Sequence, residues 1–268
     1  VVIPNLVGRG NIRDIDLRSD GRLFAYAGSA GGANQAGFVD ELDVGTVPSS
    51  GQLDGSDAVP DNVVTTDNVD AMTFRVVGRG GGNVAAAPSV DYDVYYSVRD
   101  SGGSRLFVAT DVGSVPTDLG VVSGVSGLVT GLEFIGNSLF GVTSSGQFAR
   151  FNPSSASNPA NPIPGTVVDF TNFTNGRSVP FSGLAIGPQN LENGAYANVL
   201  FGVTNNGWLY AMDPTGQPVS VFTPNADTNG DGTISTADGF GMRIAIGGAV
   251  GLAFSPMDFN LWHPTARR

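Results

Sequence analysis

The segment from Asp227 to Asp238 reads DTNGDGTISTAD and carries oxygen-bearing side chains at alternate positions around a tight turn. Asp227, Asn229 and Asp231 stand at positions 1, 3 and 5 of a twelve-residue loop, Gly232 at position 6, and Asp238 at position 12. Carboxylate and carboxamide oxygens at this spacing point toward one centre, and about six to eight oxygens at one centre suit calcium, a hard cation. Thr233 would add its backbone carbonyl, Ser235 would hold a water, and Ile234 would anchor the loop by burying its side chain. The expected metal site is therefore Asp227, Asn229, Asp231, Thr233, Ser235 and Asp238, with Ca2+ in a structural role. The plain alternative is an ion-free turn rich in Asp and Asn.

Other chemistry is sparse. All 13 basic residues are Arg, Cys is absent, and His263 is the single imidazole. Schiff-base and P-loop lysines, thiolate nucleophiles, Cys-ligated zinc and disulfide scaffolds are excluded. The net charge of −11 disfavours nucleic acid and anionic membrane surfaces, and no run is apolar enough to insert as a transmembrane helix. Asp14, Asp16 and Glu133 fall on expected innermost strands, where carboxylates would line a channel. Trp208, Tyr210 and Trp262 are either a carbohydrate-stacking face or core aromatics. Asp43, Asp111, Asn152 and Asp213 each end a third strand and read as turn formers.

The elements that must position these residues are short strands. Gly and Pro contribute 39 and 16 residues, and apolar runs bounded by turn residues recur throughout, an all-β pattern. Internal repetition sets the organisation. Phe140–Pro153 (FGVTSSGQFARFNP) and Phe201–Pro214 (FGVTNNGWLYAMDP) match at six of fourteen positions with an offset of 61. Upstream strands repeat as VTGLEFIG, FSGLAIGP and AVGLAFSP, making Gly131, Gly183 and Gly251 equivalent, with Asp14 and Ala71 marking more divergent copies. The marks are spaced by 57, 60, 52 and 68 residues. Four-stranded units at this spacing are expected of a β-propeller. The units run over about 8–57, 68–126, 128–175 and 179–224, followed by the calcium-loop insertion 225–247 and a partial fifth unit 248–268. Fourth strands are expected near Thr46 and at Gly120–Val125, Gly165–Phe170 and Pro218–Phe222.

The pattern G-L-x-F, L-F-G-V-T and G-x-L-Y-x-x-D-P-x-T-G resembles bacterial repeat β-propellers of the secreted or cell-surface kind, and the Asp227 loop resembles those of dockerins and EF-hands. The resemblance implies a non-enzymatic extracellular module for cell-surface structure, adhesion or protein interaction, with a protein or surface-glycan partner. The alternatives are a calcium-dependent hydrolase or lyase with its site at the channel mouth, and a glycan-binding lectin. The partial fifth unit is expected to be completed by sequence beyond Arg268, by the Val1–Val7 segment, or by another chain.

Overall fold

The Ile12–Leu17 strand buries every second side chain, Ile12, Asp14 and Asp16, so two of the three inward positions are carboxylates. The computed structural model describes residues 12–18, 23–27, 37–42, 58–64, 69–79, 90–101, 103–110, 115–152, 167–189, 191–222, 224–235, 238–244 and 247–254. Within them lie sixteen strands in four antiparallel four-stranded sheets, each running in sequence order from first strand to fourth. The first sheet holds β1 (Ile12–Leu17), β2 (Leu23–Ala27), β3 (Gly37–Leu42) and β4 (Ala58–Val64). The second holds β5 (Val69–Arg79), β6 (Val90–Asp100), β7 (Gly103–Ala109) and β8 (Thr117–Val121). The third holds β9 (Val129–Ile135), β10 (Ser138–Thr143), β11 (Gln147–Phe151) and β12 (Val167–Asp169). The fourth holds β13 (Phe181–Ile186), β14 (Leu200–Thr204), β15 (Trp208–Met212) and β16 (Met242–Arg243).

The sequence repeat is a structural repeat. Phe140 pairs with Arg150 across β10 and β11, and Phe201 with Ala211 across β14 and β15, so the matched hairpins share one register. Both turns need a left-handed residue, supplied by Gly146 (φ 90°) and Gly207 (φ 87°). In each, a buried threonine hydroxyl caps the turn: Thr143 Oγ1 accepts the N–H of Gln147 at 3.1 Å, and Thr204 Oγ1 that of Trp208 at 2.9 Å.

Fourth strands depart most from expectation. In the first sheet the fourth strand is Ala58–Val64 rather than a segment near Thr46, which lies outside the described residues. Its Pro60 lacks an N–H, which an outermost strand tolerates. In the fourth sheet, Pro218 makes only an isolated bridge to Met212, and the ladder strand is Met242–Arg243, paired with β15. The Asp227–Asp238 loop therefore lies inside the fourth sheet, in the connection from β15 to β16, and does not follow a unit already complete at residue 224.

Apolar layers lie between successive sheets. Phe24 and Tyr26 pack with Met72, Phe74 and Val94; Tyr95 and Leu106 with Leu132 and Phe134; Phe140 and Phe148 with Phe181 and Tyr210. A further layer joins Phe201 and Ala211 to Leu252 and Phe254, the Phe201 and Phe254 rings lying 5.1 Å apart. Full burial of each such side chain is worth about 1.5–3 kcal/mol, which makes these layers the main cohesive term.

First strands meet one another in chain order: β1 packs on β5, β5 on β9, and β9 on β13. The register marks adjoin in the same order. A Cβ on Gly131 would come within 2.6 Å of Leu184 N, one on Gly183 within 2.6 Å of Gly251 C, and one on Gly251 within 2.6 Å of Ile15 N. Glycine at these marks is thus required by the close approach of neighbouring backbones. One residue earlier, the Thr130 hydroxyl donates to Phe181 O at 2.6 Å and the Ser182 hydroxyl to Ala249 O. Residues 255–268, including the expected strand Phe259–Pro264, and residues 1–11 lie outside the described set.

Candidate functional site

Two residues beyond the marks stand Asp16, Thr73 and Glu133, all buried. Asp16 Oδ2 reaches the next sheet and accepts the N–H of Phe74 at 3.1 Å, while its Oδ1 accepts the N–H of Leu17 at 2.7 Å. Glu133 repeats the arrangement, with Oε2 on the N–H of Ile186 at 2.9 Å and Oε1 on that of Phe134 at 2.8 Å. Asp14 does the same one turn of the pleat earlier, on Met72 at 2.6 Å and Ile15 at 2.9 Å. Each of the three carboxylates expected on innermost strands therefore joins its own first strand to the next.

Their electrostatics follow from burial. Desolvation pushes the Glu133 carboxyl up to about 7 against the opposing N–H bonds from Ile186 and Phe134. Desolvation also raises Asp14 and Asp16 well above the ordinary carboxylate range, and the negative charge of Glu133 adds to both. Asp70, just as buried, is held differently: Arg99 grips both of its oxygens at 3.1 and 2.8 Å, and Arg13 lies 3.4 Å away.

Asp16 and Glu133 also line a cavity of about 430 Å³ at the ends of the first strands. The residues three beyond the marks, Leu17, Phe74, Phe134, Ile186 and Phe254, all line it, so every repeat contributes one apolar side chain. Arg75 and Tyr92 complete part of the wall; Arg75 pairs with Asp93 at 2.6 Å, and its guanidinium lies 5.8 Å from the Phe134 ring centroid. The sequence reading missed this apolar set, although counting three residues from each mark would have found it.

In the Asp227–Asp238 loop, each acidic side chain winds the backbone. Asp227 accepts from Gly230 N at 2.7 Å and Gly232 N at 2.9 Å, Asn229 from Asp231 N at 2.9 Å, and Asp231 from Thr233 N at 2.7 Å. Asp238 is buried and closes the loop, accepting from Ser235 N and Thr228 N, each at 2.7 Å, and from Asn229 N at 3.3 Å. Those bonds hold its carboxyl below the ordinary range. Asp227, Asn229, Asp231 and Thr233 are exposed and Ser235 is half-buried. The donors are hard oxygens, which fit calcium by type. Among the described residues, however, no three His, Cys, Asp or Glu side chains are gathered closely enough to hold a metal ion. Ile234 is 53% exposed and does not anchor the loop. Arg177 is the anchor instead, its Nη2 donating to Asp238 O at 2.7 Å while its guanidinium stacks 3.8 Å from the Trp208 ring centroid.

Trp208 and Tyr210 are buried core aromatics, so they form no exposed carbohydrate-stacking face. Asp213 is a turn former, its Oδ1 accepting the N–H of Thr215 at 2.8 Å and of Gln217 at 3.0 Å. Asp43, Asp111, Trp262 and His263 lie outside the described residues.

No protein-family model matches the chain, and no curated protein matches it. Among solved structures it is similar to the glutaminyl cyclase of Myxococcus xanthus, with a TM-score of 0.50 and 12% identity over 95% of this chain and 84% of that one. It is also similar to Sqt1 of Saccharomyces cerevisiae, with a TM-score of 0.43 and 12% identity over 82% of this chain and 52% of that one. At this identity the likeness concerns the sheet-rich, all-β fold alone.

Proposed function

We propose that the chain is a β-propeller module without enzymatic activity, acting extracellularly or at the cell surface in structure, adhesion or protein interaction. The observation that carries this reading is the use made of the central acids: all six oxygens of Asp14, Asp16 and Glu133 accept main-chain N–H groups. Each carboxylate bonds one donor on its own strand and one on the next, and so acts as a clasp between repeats. The ordered contacts of the first strands, with residues 249–254 set between β13 and β1, support the propeller arrangement. An acidic chain free of Lys and Cys supports the extracellular setting.

Calcium belongs to this proposal as the ion that would order the β15–β16 connection through Asp227, Asn229, Asp231, Thr233, Ser235 and Asp238. Binding to the folded state alone stabilises it by about 2.7 kcal/mol at 100 times the dissociation constant. The test is thermal unfolding with EDTA and then with excess calcium. Calcium is expected to raise the melting temperature, and Asp231→Ala to abolish the response; an identical melt in both conditions would remove calcium from the proposal.

A further inference from the structure

The buried carboxylate of Asp70 has cationic partners in Arg99 and Arg13. Asp16 and Glu133, beside the cavity, differ: both are buried, they repel one another, and among the described residues neither forms an ion pair. Beside Glu133 the fully buried Thr73 hydroxyl makes no hydrogen bond of normal geometry, although it lies close enough to affect that carboxyl. The backbone N–H bonds occupy one lone pair on each carboxylate oxygen, and a second remains for a donor.

The rest of the wall is mainly aromatic and aliphatic; its one arginine, Arg75, is paired with Asp93 at 2.6 Å. Phe74, Tyr92, Phe134 and Phe254 all line the cavity, and such rings attract a cation placed over their faces. The protein uses this property itself, holding the Arg18 guanidinium 4.5 Å from the Tyr92 centroid. Two carboxylates set against aromatic rings do not make the all-oxygen shell that a hard divalent metal takes. They suit a cation with hydrogen-bond donors at one end and apolar surface at the other. The net charge of −11 would draw such a ligand in.

From this geometry we infer that the cavity binds a small organic cation, an alkyl- or arylalkyl-ammonium, with its head between Asp16 and Glu133 and its tail against Phe74, Phe134, Ile186 and Phe254. The head supplies the positive charge the two acids lack. Volume limits the tail: a cavity of about 430 Å³ accepts a single ring or a short chain.

The test is calorimetric titration of the full chain, at a pH near 8, with phenethylammonium chloride, 2-phenylethanol and 3-phenylpropanoate. Saturable binding of the ammonium is expected, at least tenfold tighter than the alcohol, with no binding of the carboxylate. Glu133→Gln is expected to weaken the ammonium at least tenfold. Because that residue also clasps Ile186, Phe254→Ala provides an independent check on the apolar part of the wall and is expected to weaken the ammonium while leaving the fold, followed by circular dichroism, intact. Equal affinity for the alcohol would reduce the cavity to an apolar hollow and overturn the inference. So would the absence of saturable binding by a folded protein, or ammonium binding indifferent to both substitutions.

Discussion

Glu133 of the third sheet holds Ile186 of the fourth through a single bond, its Oε2 accepting the Ile186 backbone N–H at 2.9 Å. Asp16 and Phe74 stand in the same relation between the first and second sheets, at 3.1 Å. A carboxylate two residues beyond one register mark thus satisfies an amide three residues beyond the next. Stability, pH response and the shape of the cavity all depend on that repeated contact.

Glu133 makes stability fall as pH rises. Its carboxyl, raised by burial from 4.5 to about 7, keeps in the folded chain a proton that the unfolded chain releases between those values. Below 4.5 both states are protonated and the effect vanishes; above 7 the whole penalty, on the order of 3 kcal/mol, is present. Asp14 and Asp16, raised first by burial and then by neighbouring acids, act in the same direction. The urea midpoint is expected to be higher near pH 5.5 than near pH 8, and Glu133→Gln is expected to flatten the difference. An unchanged slope in the variant would show that Glu133 is not its source.

Gly131→Ala is expected to cost about 1–3 kcal/mol, as overpacking does, because its Cβ would meet the backbone of Leu184 and Gly183 at 2.6 and 2.7 Å and backbone cannot swing aside. Gly136→Ala has nothing within 4 Å and pays only for its φ of 59°, about 1–2 kcal/mol. Chemical denaturation of the two variants checks the order, and a larger loss at Gly136 would contradict the close approach of the strands.

Much of the local structure was legible because neighbouring residues encode it. The paired hairpins at Phe140 and Phe201 carry their own turn glycines and capping threonines, and their strands appear where the repeat places them. Met242–Arg243 was not legible, since a two-residue strand has no periodicity and its position depends on where β15 leaves an open edge. Asp16 and Glu133 were recognisable as innermost carboxylates, but their amide partners lie 58 and 53 residues away. The exposure of Ile234 was misread because a hydrophobic residue at its loop position predicts burial only when something packs over it.

Arg177→Met is expected to destabilise the fourth sheet by about 1–3 kcal/mol, through loss of stacking on Trp208 and of the charged bond to Asp238 O. Tryptophan emission is expected to shift, as Trp208 loses its covering guanidinium. A variant with unaltered emission and stability would show that the loop docks without this arginine.

Thr143→Val and Thr204→Val are expected to cost similar amounts, about 1–3 kcal/mol each, because each leaves one turn N–H without its buried acceptor. The measurement is the denaturation midpoint of each single variant. A loss confined to one of them would mean that the two hairpins, although alike in register, are held by different contacts.

The β class, the repeat register, the hairpin turns and an acidic loop with hard-oxygen donors are all written in residues close together along the chain, and the sequence alone sufficed to find them. Packing of the sheets was needed to bring together marks 52 to 68 residues apart, to set Asp16 and Glu133 beside one cavity, and to give each repeat an apolar side chain in its wall. Backbone approach and desolvation arise only when separate sheets come into contact. Until then, a glycine is only a small residue and a buried carboxyl is an ordinary acid.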